Sequence, residues 1–332
     1  MGEWANILAA GLANQIGGTF LQPGSSLFLP ALLVTLAISL PLAVPRTTRL
    51  PRIAVLRRVL VPRRLWRSRS GQVDIGFFLF SLCGGGVTFG WALISSEMVR
   101  SWLRPLLAGS IPALAAGVPP GVVVIAATAL TFIAYDAAYW LDHRLKHRVP
   151  VLWAFHKVHH SAESLSLLTN FRVHPVDTLV FYNLVALATG VAGAVCDVLA
   201  GHPVEPLGIG GTGALVLISA ALLTHLQHSH LWVTLGPRWG GWLLGPAHHQ
   251  VHHSADPRHF DRNFGNVLAL WDRLGGSFHR PAERREVPRF GLDDPAAQTL
   301  PSLTVRPFTD AARTLIPQAP FAPALSLGNE PG

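Results

Sequence analysis

The sequence predicts an all-α integral membrane protein, with four to five membrane helices and a cytoplasmic helical cap rich in histidine. Three observations predict it. Half of the 332 residues are hydrophobic and only 13% are charged, against about 25% in an ordinary soluble domain. Five apolar runs approach or exceed the roughly 20 residues that cross a bilayer as a helix. All 16 histidines fall between His143 and His279. The same composition excludes a disordered chain, which needs far less apolar content. Cys83 and Cys196 are the only cysteines, too few for a disulfide framework or a cysteine-based zinc ribbon. Both read as small buried hydrophobes.

Residues 1–25 lack the Lys/Arg region of a signal peptide and read as an N-terminal interfacial segment. Residues 26–141 hold the first membrane helices: an uncharged run at 26–44, a run at 75–96 bounded by Asp74 and Glu97, and a run at 119–141 interrupted only by Asp136. Residues 142–280 hold every histidine and two further apolar runs, 178–200 and 207–224. A short Gly-Pro turn separates those two, so residues 178–227 form a hairpin that either dips into the membrane or crosses it twice. Residues 281–332 are a Pro-rich C-terminal tail that wraps the surface or frays.

Nine arginines occupy residues 46–69, between the first two runs, whereas residues 97–110 carry only Arg100 and Arg104. The positive-inside rule therefore places 46–69 in the cytoplasm, and two spans later the chain returns to that side near His143. Arginines alternating with Leu, Val and Ile fit an amphipathic helix on a membrane surface, with anionic lipid headgroups as its partner. A pI near 10.6 thus speaks for a membrane surface rather than nucleic acid. Gly208-Ile-Gly210-Gly-Thr-Gly213 satisfies G-x-G-x-x-G, but it lacks the preceding strand and the later acidic residue of a dinucleotide site. It reads as a stripe of small residues for helix packing.

The histidines fall in boxes. His143-Arg-Leu-Lys-His147 is H-x3-H, His156-Lys-Val-His159-His160 is H-x2-H-H, and His249-Gln-Val-His252-His253 repeats the second pattern. On a helix, positions i, i+3 and i+4 share a face, so each box can aim its imidazoles into one pocket. Adjacent residues are about 100° apart, so a His-His pair can serve two neighbouring metals. Eight imidazoles exceed the four ligands of a tetrahedral zinc site, which makes the cap a dimetal site. Imidazole suits Zn, Cu, Fe and Ni alike. A metal-bound imidazole needs an acceptor for its second nitrogen. Asp142, Glu163, Asp177, Asp256, Asp261 and Asp272 are near enough in sequence to supply one.

The three boxes resemble those of the fatty acid hydroxylase superfamily, the integral-membrane sterol desaturases and lipid hydroxylases, in its bacterial sterol-desaturase-like branch. The likeness runs from about Trp66 to Phe308. Phe171-Arg-Val-His-Pro175 is similar to the family's Arg/Phe-x-His-Pro element, Gln227-His228-Ser229 to its Gln-His-Ser-Asn element, and Asn263-Phe-Gly265 with Leu270-Trp-Asp-Arg273 to the segment after the third box. His230 departs from the family pattern, standing where Asn is usual, and His248 is an extra histidine.

The resemblance implies a non-haem di-iron oxygenase of the bacterial inner membrane. It would hydroxylate or desaturate an unactivated C–H bond of a lipid, with O2 as co-substrate. It implies His143, His147, His156, His159, His160, His249, His252 and His253 as ligands of two Fe ions, and His228 as a ninth. His174 and His225 are candidates for extra ligands or for groups behind the ligands, as are Asp177 and Asp256. A lipid would enter from the bilayer. Without a flavin or NAD fingerprint, the electrons would come from a separate reductase and electron carrier. Two alternatives from other classes are a His-rich membrane metal transporter and a zinc metallohydrolase. The first box has Arg and no glutamate after its leading histidine, which weakens the protease form of the latter.

Overall fold

The computed structural model describes residues 2–25, 27–43, 62–83, 93–294 and 298–316, together with residues 51, 53, 54 and 57. Most of the described chain is helical. In chain order the helices are α1 (Gly2–Leu21), α2 (Leu29–Ala43), α3 (Arg63–Arg67), α4 (Arg69–Leu82), α5 (Ser96–Ala108), α6 (Pro120–Arg148), α7 (Pro150–His160) and α8 (Pro175–Ala200). Then follow α9 (Ala214–Ser219), α10 (Gly236–Trp239), α11 (Pro246–His252), α12 (Leu270–Gly275) and α13 (Leu300–Leu315).

Two helices among the described residues are long and apolar enough to cross a membrane: α6, with 29 residues and mean hydropathy 1.8, and α8, with 26 residues and mean hydropathy 1.9. At 1.5 Å per residue they reach about 40 Å, more than a hydrocarbon core of about 30 Å. The other apolar runs differ from expectation. The 26–44 run gives α2, whose 15 residues reach only about 22 Å. The 75–96 run is helical as far as Leu82, and residues 84–92 lie outside the described residues. Most of the arginine-rich segment 46–69 lies outside them as well. Cys83 is exposed, against the expectation of burial, whereas Cys196 is buried.

The 207–224 run does not form a spanning helix. It opens as an antiparallel hairpin that pairs Gly208 with Gly213 and Ile209 with Thr212. Gly210 and Gly211 have φ of 57° and 79°, the two successive positive values that a tight two-residue hairpin turn needs. The glycine pattern thus serves a turn, which corrects its reading as a helix-packing stripe. Only α9 and a π-helical turn, Ala220–Thr224, follow it as helix.

Helix α8 packs along both α5 and α6. Its Gly190 is required for the first contact, since a Cβ there would stand 2.6 Å from the Ser96 carbonyl oxygen and 2.6 Å from Val99 Cβ. Residues 300–315, part of the Pro-rich tail, form α13 and pack on α7. There Ala311 joins Ala154 and Phe155 in one buried cluster, and Lys157 pairs with Asp310 at 2.5 Å.

Asp136 interrupts an apolar run for a reason visible in the fold. Its fully buried carboxylate accepts hydrogen bonds from the Val267 and Leu268 amides and from Trp271 Nε1 at 3.0–3.1 Å. Asp272 accepts from the Phe264 and Gly265 amides at 2.8 Å, from Ser277 Oγ at 2.6 Å and from Trp140 Nε1 at 3.2 Å. These two carboxylates bind the chain after α11 to the side of α6, and so fix the third histidine box against the first.

Candidate metal centre

Proline sets the bend between the first two boxes. Pro150 holds Val149 extended, at φ −102° and ψ 112°, because a residue before proline is kept out of the α region. It then opens α7 at the helix position where a missing N–H costs nothing. His143 and His147 stand on the last turns of α6, and His156, His159 and His160 on α7. Pro246 opens α11 in the same way, with His249 and His252 on the helix and His253 at its C-cap. His228 joins from the turn after the π-helical segment.

The nine histidines form two sets. His143, His147, His156, His160 and His252 bring one ring nitrogen each to within 4.8 Å of one another, and His159, His228, His249 and His253 do the same. Both His-His pairs, His159-His160 and His252-His253, are divided between the sets, as follows from the angle between neighbours on a helix.

The Nδ1 atoms point outward to acceptors. His143 Nδ1 donates to the Phe264 carbonyl and His252 Nδ1 to the Arg262 carbonyl, each at 2.8 Å. His156 Nδ1 donates to Asp177 Oδ2 and His228 Nδ1 to Asn170 Oδ1, each at 2.7 Å. His159 Nδ1 donates to the Arg172 carbonyl at 3.3 Å. Outer partners of this kind fix the tautomer and leave Nε2 as the bare nitrogen, available to a metal. His249 departs from the pattern, with a buried Nδ1 that has no hydrogen-bond partner among the described residues.

The Nε2 atoms converge. His228 Nε2 lies 2.9 Å from that of His159, 3.2 Å from that of His253 and 2.8 Å from that of His249. His160 Nε2 lies 3.1 Å from those of His147 and His252. Hydrogen bonds do not account for this crowding. One imidazole nitrogen carries at most one proton, and that of His228 is already on Nδ1 facing Asn170. Nitrogens held about 2.1 Å from a shared ion stand roughly 3.0–3.4 Å apart in octahedral or tetrahedral geometry. The Nε2 atoms of His143 and His156 are buried with no hydrogen-bond partner among the described residues, a costly state without a ligand. Burial holds the imidazoles neutral: His228 and His252 are pushed down to about 3, and His159, His160, His249 and His253 fall well below the usual histidine value. Both sets fit a divalent metal.

The remaining candidates stand apart from the two sets. His174 caps α8, its Nδ1 accepting from the Val176 amide at 3.1 Å and its Nε2 donating to the Thr304 carbonyl at 3.0 Å. His225 is buried outside both sets. Asp256 caps the 257–259 turn and pairs with Arg258 at 2.6 Å. His248 closes the turn before α11, accepting from the Gly245 amide and donating to the Gly240 carbonyl. Asp177 does touch a box histidine, and it also pairs with Lys146. Sequence reasoning missed Asn170 and the role of Arg172. The guanidinium of Arg172, fully buried, donates to Asp74, Ser70, the Val158 carbonyl, Ser161 and Gln298. Backbone acceptors such as Phe264 and Arg262 leave no signal in a sequence.

A cavity of about 750 Å³ opens onto both sets, reaching His143 and His156 of one and His159 and His228 of the other. Phe77, Tyr139, Phe171, Phe181 and Tyr182 make its apolar wall, and Asp142, Lys146 and Asp177 a polar one. A helical chain with two buried imidazole clusters beside an apolar cavity belongs to the class of histidine-box proteins.

Within that class, residues 128–277 match the model of the fatty acid hydroxylase family. Similar proteins include an alkylglycerol monooxygenase from Xenopus tropicalis, 32% identical over 50% of this chain and 33% of its own length. An ornithine lipid hydroxylase from Rhizobium tropici is 29% identical over 55% of this chain and 51% of its own. Cholesterol 25-hydroxylase from Homo sapiens is 30% identical over 44% of this chain and 48% of its own. The chain thus spans about half or less of the length of these relatives. No solved structure matches it.

Proposed function

We propose that this chain is a membrane-bound di-iron oxygenase that hydroxylates an unactivated C–H bond of a lipid, with His143, His147, His156, His160 and His252 holding one iron and His159, His228, His249 and His253 the other. The observation that carries the reading is the convergence of Nε2 atoms in two adjacent buried sets, with the cavity touching both. Hydroxylation is preferred to desaturation because the similar proteins named above are hydroxylases and a monooxygenase. When bound, the irons would supply the O2 activation and electron transfer that no side chain provides.

The chain's own residues do the rest. Asp177, Asn170 and the carbonyls of Phe264, Arg262 and Arg172 orient the imidazoles. The aromatic wall holds a hydrocarbon chain and excludes water from the reacting bond. Lys146 offsets the charge of Asp142 and Asp177 at the polar end. The lipid enters from the bilayer along α8, where Tyr182 at the cavity's edge is 47% exposed. The reading places α6 and α8 across the membrane, the histidine cap on the cytoplasmic side, and the arginine-rich segment 46–69 on anionic headgroups. A separate reductase and carrier deliver the electrons.

The test is metal content and O2 uptake, after chemical reduction, of detergent-purified protein and of His159→Ala. Close to two irons per chain, with iron and O2 uptake both reduced in the variant, support the reading. Zinc alone, with no O2 uptake after iron reconstitution, overturns it in favour of a hydrolase or a transporter.

A further inference from the structure

Outside the two box sets lies a third group with metal-ligand chemistry. His259, His279 and Glu286 each offer one ligand atom, and the three atoms lie within 4.8 Å of one another. His259 is 4% exposed, and its Nδ1 hydrogen-bonds with Ser254 Oγ at 2.9 Å, which fixes the ring and leaves Nε2 to face the other two residues. Its ring centroid is 5.3 Å from that of His279. His279 Nε2 and Glu286 Oε1 pair at 3.1 Å, a separation that two ligands of one small ion can also hold. Both side chains are partly exposed, at 29% and 26%, so an ion can enter and a water can complete its shell.

The surroundings hold these residues in place. The His279 amide donates to Asn263 Oδ1 at 2.8 Å, and the Ala282 amide donates to Glu286 Oε1 at 3.2 Å. Asn263 in turn donates to the His248 carbonyl at 3.2 Å from a left-handed backbone with φ of 55°. Ser254, which hydrogen-bonds with His259, directly follows box residue His253 and bridges to Phe290.

We propose that His259, His279 and Glu286 form a third divalent-metal site, distinct from the two box sets and suited to zinc. Two imidazoles and one carboxylate, with one position open to water, form a recurrent zinc ligand set. The site ties the segment after α11 to the chain around Glu286, and so stiffens the frame that carries His252 and His253. The box sets hold nine imidazoles and no carboxylate, so the donor chemistry of the two places differs.

The experiment uses the full-length detergent-solubilised chain, loaded with iron and then titrated with Zn2+. Bound zinc is counted by elemental analysis, and hydrogen exchange is followed in residues 254–263 and 277–290. The wild type should take up one zinc equivalent and slow exchange in both segments. His279→Ala and Glu286→Gln should each bind one equivalent fewer, keep their iron and lose the slowing. Glu286→Gln keeps an acceptor for the Ala282 amide, so it decides the matter if His279→Ala folds poorly. Equal zinc uptake by wild type and Glu286→Gln, or no uptake by the wild type, overturns the site.

Discussion

Asp177 Oδ2, in the first turn of α8, accepts the Nδ1 proton of His156 on α7 at 2.7 Å, while the same carboxylate pairs with Lys146 from α6. Lys146 also meets Asp142 at 2.6 Å. One lysine between two carboxylates therefore links the first box, the second box and the polar end of the cavity. All four side chains are nearly inaccessible to solvent, so the charges are held by each other rather than by water.

Asp177→Asn should weaken metal binding about 10–100-fold, the usual cost of losing a carboxylate behind a ligating histidine. An asparagine amide oxygen still accepts the Nδ1 proton but no longer offsets Lys146. The metal released to a chelator at graded concentrations measures this. Asp256→Asn, at a helix cap away from both sets, should leave the release curve unchanged.

Arg172 and Asp74 form an ion pair with both side chains at 0% exposure. Arg172→Met should cost about 3–5 kcal/mol, because it strands the Asp74 carboxylate in the interior. Adding Asp74→Asn should recover part of the loss. Recovery should stay incomplete, since the Val158 and Ser70 carbonyls still lack their donor. Arg172→Lys should not rescue, because an ammonium cannot reproduce the forked geometry. Unfolding midpoints of the four proteins in one detergent check the order.

The metal-free protein should lose stability in acid. His228 and His252 titrate at about 3 in the folded chain and at about 6.5 unfolded. Between those values the unfolded chain binds more protons, so stability rises with pH across that window and levels off above about 6.5. Each such histidine contributes up to about 1.4 kcal/mol per pH unit. Unfolding midpoints at pH 7.5 and 5.5 measure the slope, and a flat profile would refute the neutral, buried state of the boxes.

The histidine boxes were legible because a helix turns spacing into a shared face. All nine histidines meet in the two sets. The partners behind them were legible only in part. Asp177 could be read from its position near a box, but Asp256 has the same proximity and caps a turn instead. Asp136 looked like an interruption of a span, yet it serves backbone amides 131 and 132 residues away, a contact that no local pattern encodes. The 207–224 run was misread because hydropathy does not register two glycines that reverse the chain. Helix α13 was hidden by the prolines around it, although Pro301 sits at the start of a helix, where proline is tolerated.

The cavity wall offers the most direct test of substrate placement. Thr178 lines it from the first turn of α8, one residue after Asp177 and facing the same space as Phe181. Thr178→Trp should fill part of the cavity without touching any histidine of the two sets. Its hydroxyl makes only a long 3.4 Å contact with the His174 carbonyl, so little stability depends on it. The expected result is unchanged iron content and O2 uptake in the absence of lipid, with turnover of a long-chain lipid falling at least about tenfold, as a loss of about 1.4 kcal/mol in transition-state binding would give. Phe181→Ala widens the same space and should shift preference toward bulkier lipids through KM more than through kcat. A Thr178→Trp enzyme that turned over long and short lipids as the wild type does would show that the lipid lies elsewhere.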